Sequence, residues 1–288
     1  MKVVYTPTCL SYKIPGHPES PQRIDRIYHS LKSIPSISFY QPNKATEQEI
    51  LSVHDKTLLN AVKNSTYIDP DTPVIPGIFE ISVLAAGATI KASEIAQKEG
   101  SSYALVRPPG HHATRKMVGG FCYLNNLAIA VKKLLENNKR VAILDIDVHH
   151  GNGTQDIFLG EKSVQYFSLH QVPLYPGTGW KSEGNCRNFP LPAGTNGDQY
   201  IEVLQKAFAD IEKFSPDILA VSLGFDTYES DPLAQLKLKK EDYKKIGVLI
   251  KNLNFPTFFV QEGGYSRDIG ELAFQFFTGF LSLSPIES

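Results

Sequence analysis

The chain reads as a single α/β domain, a mostly parallel sheet with helices on both faces, on three observations. Its strand-like segments are continuously apolar rather than alternating, the pattern of strands covered on both sides. Segments with apolar residues at three- and four-residue spacing alternate with them along most of the chain. No low-complexity tract, long charge run or internal repeat divides the 288 residues, a length one large α/β domain can fill.

In chain order, the first strand is expected at Val3 to Tyr5. The Pro-rich stretch from Asp69 to Gly77 (DPDTPVIPG) reads as a loop and not a linker, because a helical pattern resumes at once. Ile78 to Lys98 is an Ala-rich helix, followed by a strand at Tyr103 to Val106 and a helix at Leu124 to Glu136. Val141 to Ile146 and Val164 to Leu169 are rich in β-branched and aromatic residues and read as strands. An amphipathic helix is expected at Tyr200 to Phe214, a strand at Ile218 to Leu223, a second amphipathic helix at Glu241 to Leu253, and a last strand at Thr257 to Val260.

Composition excludes several function classes. With 29 Lys+Arg against 30 Asp+Glu, the net charge of -1 removes the electrostatic argument for nucleic acid or an anionic membrane as partner. No apolar stretch approaches the roughly 18–20 residues of a membrane span. The opening MKVVYTPTCL breaks its apolar run at Thr6-Pro7, so no signal peptide is expected and the cytoplasm is the expected location. Cys9, Cys122 and Cys186 lie far apart, which fits neither a disulfide framework nor a thiolate zinc site. Nothing in the composition speaks to oligomeric state.

The unusual residues gather where strand patterns end, the place where open α/β sheets bind ligands. Val106 runs into RPPGHH, Ile146 into DVHHGNG, Leu223 into Gly-Phe-Asp226, and Val260 into Gln-Glu-Gly-Gly-Tyr265. In extended chain, residues i, i+2 and i+4 share one side, so Asp145, Asp147 and His149 are expected to converge. Two carboxylates and an imidazole in one small volume repel or lose solvation unless a cation joins them. Asp226, at another strand end, can complete a set of Asp147, His149 and Asp226. Three protein ligands with an open position describe a catalytic metal site, while structural zinc takes four and favours sulfur.

A metal hydrolase also needs a base for the attacking water and an acid for the leaving group. His111 and His112 supply candidates. Adjacent histidines on a tight loop are expected to point in different directions, each with its own partner, and Asp145 and Asn152 are available. Tyr265, beside the Gly263-Gly264 pair, offers a phenol able to donate to an oxyanion. Any one of these fragments alone is as readily a capped strand end, a satisfied loop histidine or a packed tyrosine.

Taken together, the segments RPPGHHA (107–113), GGFCYLNN (119–126), DIDVHHGNGT (145–154), Gly224-Phe-Asp226 and Glu262-Gly-Gly-Tyr265 resemble the zinc-dependent histone deacetylase superfamily. His17-Pro-Glu-Ser-Pro-Gln-Arg23 also resembles that family's N-terminal motif, so the likeness covers about residues 5–270. It implies the arginase-deacetylase fold, with a sheet of about eight strands. It further implies that Asp147, His149 and Asp226 bind zinc, with iron(II) the alternative for two oxygens and one nitrogen. By the same likeness, His112 is the general base and acid, His111 its electrostatic partner bonded to Asp145, and Tyr265 the group that polarises the scissile carbonyl. Phe121 and Tyr175 match aromatic walls of an acyl-lysine tunnel, and Gly120, Leu233 and Gly263 join them as substrate contacts. Asp145, Ser168 and Leu169, with backbone of Asp147 and His149, match a structural potassium site.

Two positions distinguish branches of that family. Asn152 stands where one branch has Asp, which leaves His112 an uncharged partner. Leu233 stands where polyamine-selective members carry an acidic residue, which leans toward acyl-lysine. The expectation is therefore a metal-dependent amidohydrolase acting on acylated lysine of proteins or peptides. An acetylpolyamine deacetylase, a silent acyl-lysine binding protein and a structural metalloprotein are the alternatives; intact Tyr265 and both histidines speak against the silent reader.

Overall fold

A computed structural model describes residues 1–281; the expected single domain of residues 1–288 includes seven residues outside that range. The sheet has eight strands, β1 (Lys2–Val4), β2 (Ser38–Tyr40), β3 (Ser101–Ala104), β4 (Val141–Asp145), β5 (Val164–Gln171), β6 (Cys186–Leu191), β7 (Ile218–Leu223) and β8 (Thr257–Gln261). They lie in the order β2-β1-β3-β8-β7-β4-β5-β6, and every pair is parallel. The expected sheet was mostly parallel; the observed one is wholly so.

All six expected strands form. The additional two are the edges, and their sequences explain why apolar continuity misses them. β2 is three residues long and largely exposed. β6 alternates buried and exposed residues and contains Pro190, as an edge strand can.

Among the described residues there are nine α-helices: α1 (Pro21–Lys32), α2 (Glu47–Leu51), α3 (Lys56–Asn64), α4 (Ile78–Glu99), α5 (Asn126–Glu136), α6 (Asn152–Phe158), α7 (Gly197–Phe214), α8 (Lys240–Asn252) and α9 (Ile269–Leu281). The four expected helices correspond to α4, α5, α7 and α8. The Asn196–Gln199 capping box fixes the start of α7, and Asn125 caps α5 through the Ala128 N–H. Asp69 to Gly77 is loop, as read.

Successive residues of each strand feed opposite faces of the sheet. Val3, Leu144 and Val221 join the core under α1, α7, α8 and α9, whereas Val4, Ile143 and Ala220 join the core under α4 and α5. None of the helices is long and apolar enough to cross a membrane among the described residues. The strand order has one consequence for the site. The strands whose loops carry the candidate residues, β3, β8, β7 and β4, are consecutive in the sheet, so their C-terminal ends open side by side.

Candidate active site

β4 ends at Asp145, which pairs in register with Ser168 of β5 and Ser222 of β7. The chain then leaves the strand, and Asp145 is not part of the cluster that Asp147 and His149 form with Asp226. Its Oδ2 takes the Tyr166 hydroxyl at 3.0 Å and lies 3.1 Å from His111 Nδ1, while Oδ1 accepts the Asp147 N–H at 3.3 Å.

Asp147, His149 and Asp226 do converge: one ligand atom from each lies within 4.8 Å of the others, and all three residues are buried. His149 Nδ1 is 3.0 Å from Asp147 Oδ1 and 3.3 Å from Asp226 Oδ2. Asp147 Oδ2 accepts the Gly263 N–H at 2.7 Å, and Asp226 Oδ1 accepts the Val148 N–H at 2.9 Å. Asp226 Oδ2 has no hydrogen-bond partner, although it is fully buried. A buried carboxylate oxygen left without a partner is costly, and a divalent cation shared with Asp147 and His149 would satisfy it. The donor set of two carboxylates and one imidazole fits such an ion.

Charge is tightly balanced around this cluster. Burial opposes the charge on His149, but the carboxylates of Asp147 and Asp226 beside it outweigh burial and push its pKa up to about 10. Burial likewise opposes ionisation of Asp226, and the neighbouring Asp147 adds to the effect, raising its pKa.

The two histidines of the β3 loop have separate partners, as expected, but their rings do not diverge. The centroids are 4.0 Å apart, because both partners lie on the single β4–α6 connection. His111 Nδ1 meets Asp145, and His112 Nδ1 meets Asn152 Oδ1 at 2.8 Å. Their electrostatics are opposite. Burial disfavours charge on His111, yet Asp147 and Asp145 push its pKa up to about 10. Burial drives His112 well below the usual histidine range, and cationic His111 and His149 drive it further. With Nδ1–H donated to Asn152, His112 keeps a lone pair on Nε2.

His112, His149 and Tyr265 all border a cleft of about 200 Å³. Phe121, Leu174, Tyr175 and Leu233 provide its apolar walls, and Asp71 adds one carboxylate. Tyr175 stands edge-on to His112 at 4.9 Å, and Phe121 edge-on to Tyr265 at 5.9 Å. Gly120 has φ +52°, and a Cβ there would come within 2.4 Å of His112 Cδ2, so only glycine lets this loop lie against the imidazole. Gly263 is not among the cleft walls. It sits behind them, where a Cβ would come within 2.1 Å of Asp226 Oδ2. A second recess of about 330 Å³ shares His112 and Tyr175 with the cleft and also touches Asn152.

Several residues that hold the site were not singled out from sequence. Buried Glu262 accepts the N–H groups of Gly110 (2.7 Å) and His111 (3.2 Å) through Oε2, tying the β8 loop to the β3 loop. Arg23 donates to the carbonyls of Gly264 (2.6 Å) and Glu262 (2.5 Å) and lies over the Tyr265 ring at 4.7 Å. Glu19 Oε1 bridges Arg23 and Arg107 at 3.0 and 2.6 Å. The signal for Glu19 and Arg23 was the HPESPQR segment, visible in sequence without a role. Leu174 and Asp71 carried no signal beyond their loops.

Known proteins resemble this chain in sequence and in fold. A probable deacetylase of Archaeoglobus fulgidus is 37% identical over 277 residues, covering 88% of this chain and 77% of the relative. Acetylpolyamine amidohydrolase 1 of Pseudomonas aeruginosa is 41% identical over 211 residues, covering 69% of this chain and 61% of the relative. Among solved structures, an acetylpolyamine aminohydrolase from Burkholderia pseudomallei superposes with a TM-score of 0.93 at 29% identity, covering 98% of this chain and 99% of the other. The HDA15 HD domain does so with a TM-score of 0.92 at 31% identity, covering 99% and 90%. The Histone deacetylase domain profile matches residues 17–279, a span that contains every residue of the site just described, and the chain belongs to that family.

Proposed function

We propose that the protein is a metal-dependent hydrolase that removes acetyl or other short acyl groups from lysine side chains of peptides or proteins. The observation that carries this reading is a neutral, Asn-partnered His112 beside a buried Asp147, His149 and Asp226 cluster with an orphaned carboxylate oxygen. Those three residues would hold zinc or iron(II), which would supply Lewis acidity to the amide carbonyl and acidify water. His112 Nε2 takes a proton from the attacking water as the new C–O bond forms. It returns the proton to the amine nitrogen as the C–N bond breaks. Its low basicity makes the protonated form a ready donor. Tyr265 donates its phenol O–H to the carbonyl oxygen as negative charge builds there. Phe121, Tyr175 and Leu233 surround the apolar stem, which favours the uncharged amide over a free ammonium.

One observation favours a second reading, a small acylated polyamine. Asp71 borders the cleft and Asp69 the adjoining recess, and neither pairs with a cation among the described residues. A distal ammonium group would meet them. Leu233 weighs toward lysine. An acyl-length scan on lysine peptides and polyamines with metal-loaded enzyme tests both readings. Turnover of neither class would overturn the assignment.

Potassium remains a proposed occupant of the Asp145, Ser168 and Leu169 region. Asp145 and Ser168 are neighbours in register, but their side-chain oxygens already have partners, Ser168 Oγ with His170 Nδ1 at 2.8 Å. No catalytic step is routed through it. Activity and melting temperature measured across potassium and sodium buffers test the assignment.

A further inference from the structure

Asp231 lies five residues beyond Asp226, in the loop that follows β7. Its side chain is buried, with the residue 6% exposed, and it pairs with no cation among the described residues. Both carboxylate oxygens are used on main-chain donors. Oδ2 accepts the N–H of Tyr265 at 2.7 Å, and Oδ1 accepts the N–H of Leu233 at 3.0 Å. Asp231 itself is anchored by its own N–H, which donates to the Tyr228 carbonyl at 2.9 Å.

A carboxylate kept from water without a counter-ion costs stability, so its hydrogen bonds are its compensation. Those bonds go to two residues that border the reaction cleft, one from the β7 loop and one from the β8 loop. Tyr265 needs such an anchor. Its phenol O–H makes no hydrogen bond among the described residues, and its ring lies against Arg23 and Phe121. A phenol left free for the substrate must take its position from its backbone. We propose that Asp231 is a positioning residue, which aims the Tyr265 phenol at the scissile carbonyl and fixes Leu233 opposite it as part of the same unit. The proposal rests on Tyr265 being the oxyanion donor.

The test is a double-mutant cycle of Asp231→Asn and Tyr265→Phe, read by kcat, KM, metal content and melting temperature. The asparagine keeps one acceptor oxygen but turns an N–H₂ toward the other main-chain N–H. Displacement of a reacting group by about 1 Å can cost on the order of 100-fold, so kcat of Asp231→Asn should fall about 10- to 100-fold with KM little changed. In the Tyr265→Phe background the same substitution should cost nothing further. An equal loss of kcat in both backgrounds, or a loss that tracks missing metal, would overturn the proposal. Near wild-type kcat for Tyr265→Phe alone would instead sink the oxyanion reading beneath it, and that result needs no Asp231 variant. Should Asp231→Asn not fold, Asp231→Glu, which keeps both acceptors on a longer stem, enters the same cycle. Failure of both to fold would assign Asp231 to the fold alone and overturn the proposal.

Discussion

His112 Nδ1 donates to the side-chain oxygen of Asn152 at 2.8 Å, a neutral acceptor, while His111 beside it faces the carboxylate of Asp145 at 3.1 Å. Burial and the nearby cationic His111 and His149 keep His112 neutral, whereas Asp147 and Asp145 overcome burial and keep His111 charged.

Asn152→Asp tests that division. A carboxylate at His112 Nδ1 would favour the imidazolium, so the base would be protonated at higher pH. The acidic limb of the kcat/KM profile should move upward, by about one pH unit or more for a buried neighbouring charge. An unmoved limb would remove His112 from the base role.

Stripping the metal should abolish turnover, and zinc or iron(II) should restore it. The stripped protein should also melt at lower temperature, since it loses a ligand that binds only the folded state and leaves Asp226 Oδ2 without a partner. Full activity in chelated protein shown to be metal-free would contradict the assignment.

Leu233→Glu should shift preference from acetyl-lysine peptide toward acetylpolyamine. The new carboxylate would join Asp71 on the cleft wall, an interaction worth about 1 kcal/mol if it stays in solvent. The ratio of the two specificity constants measures the shift, and a constant ratio in folded protein counts against this wall as a selector.

Tyr265→Phe should lower kcat about 100- to 1000-fold, roughly 3–4 kcal/mol, with KM and melting temperature nearly unchanged. The ring's contacts with Arg23 and Phe121 survive the substitution. A purely structural tyrosine would show the reverse pattern.

His54 should make stability fall with acid. It is buried between the Thr114 carbonyl and the Asn125 N–H, and burial pulls its pKa down to about 4 from an ordinary 6.5. The unfolded chain therefore takes up a proton below pH 6.5 while the folded one resists until about pH 4. His54's contribution is fully present above 6.5 and drains away between those values, up to about 3 kcal/mol. His54→Gln should flatten the melting curve's pH dependence in that window; an unchanged slope would exclude the residue.

The parts of the site legible in sequence are those whose side chains carry the chemistry themselves. Asp147 and His149 stand two residues apart just beyond β4, and Asp226 lies just beyond β7, so their residue types and spacing point to a candidate cation site. Asp231, Glu262 and Arg23 act on main-chain N–H and carbonyl groups of distant loops, and no residue type marks those groups in advance. The fold divides in the same way. Interior strands, covered on both faces, were legible from apolar continuity, while β6 shows half its residues to solvent.

The last strand among the described residues, β8, is not at an edge of the sheet but between β3 and β7. The middle of the sheet can therefore close only once the segment through Gln261 has been made. Until then Asp147 has no Gly263 N–H, His111 no Glu262, and the cleft no Tyr265. A chain cut short before Thr257 would hold Asp147, His149 and Asp226, just beyond β4 and β7, with an open seam beside them. The candidate site is thus completed by the strand synthesised last of the four whose loops build it.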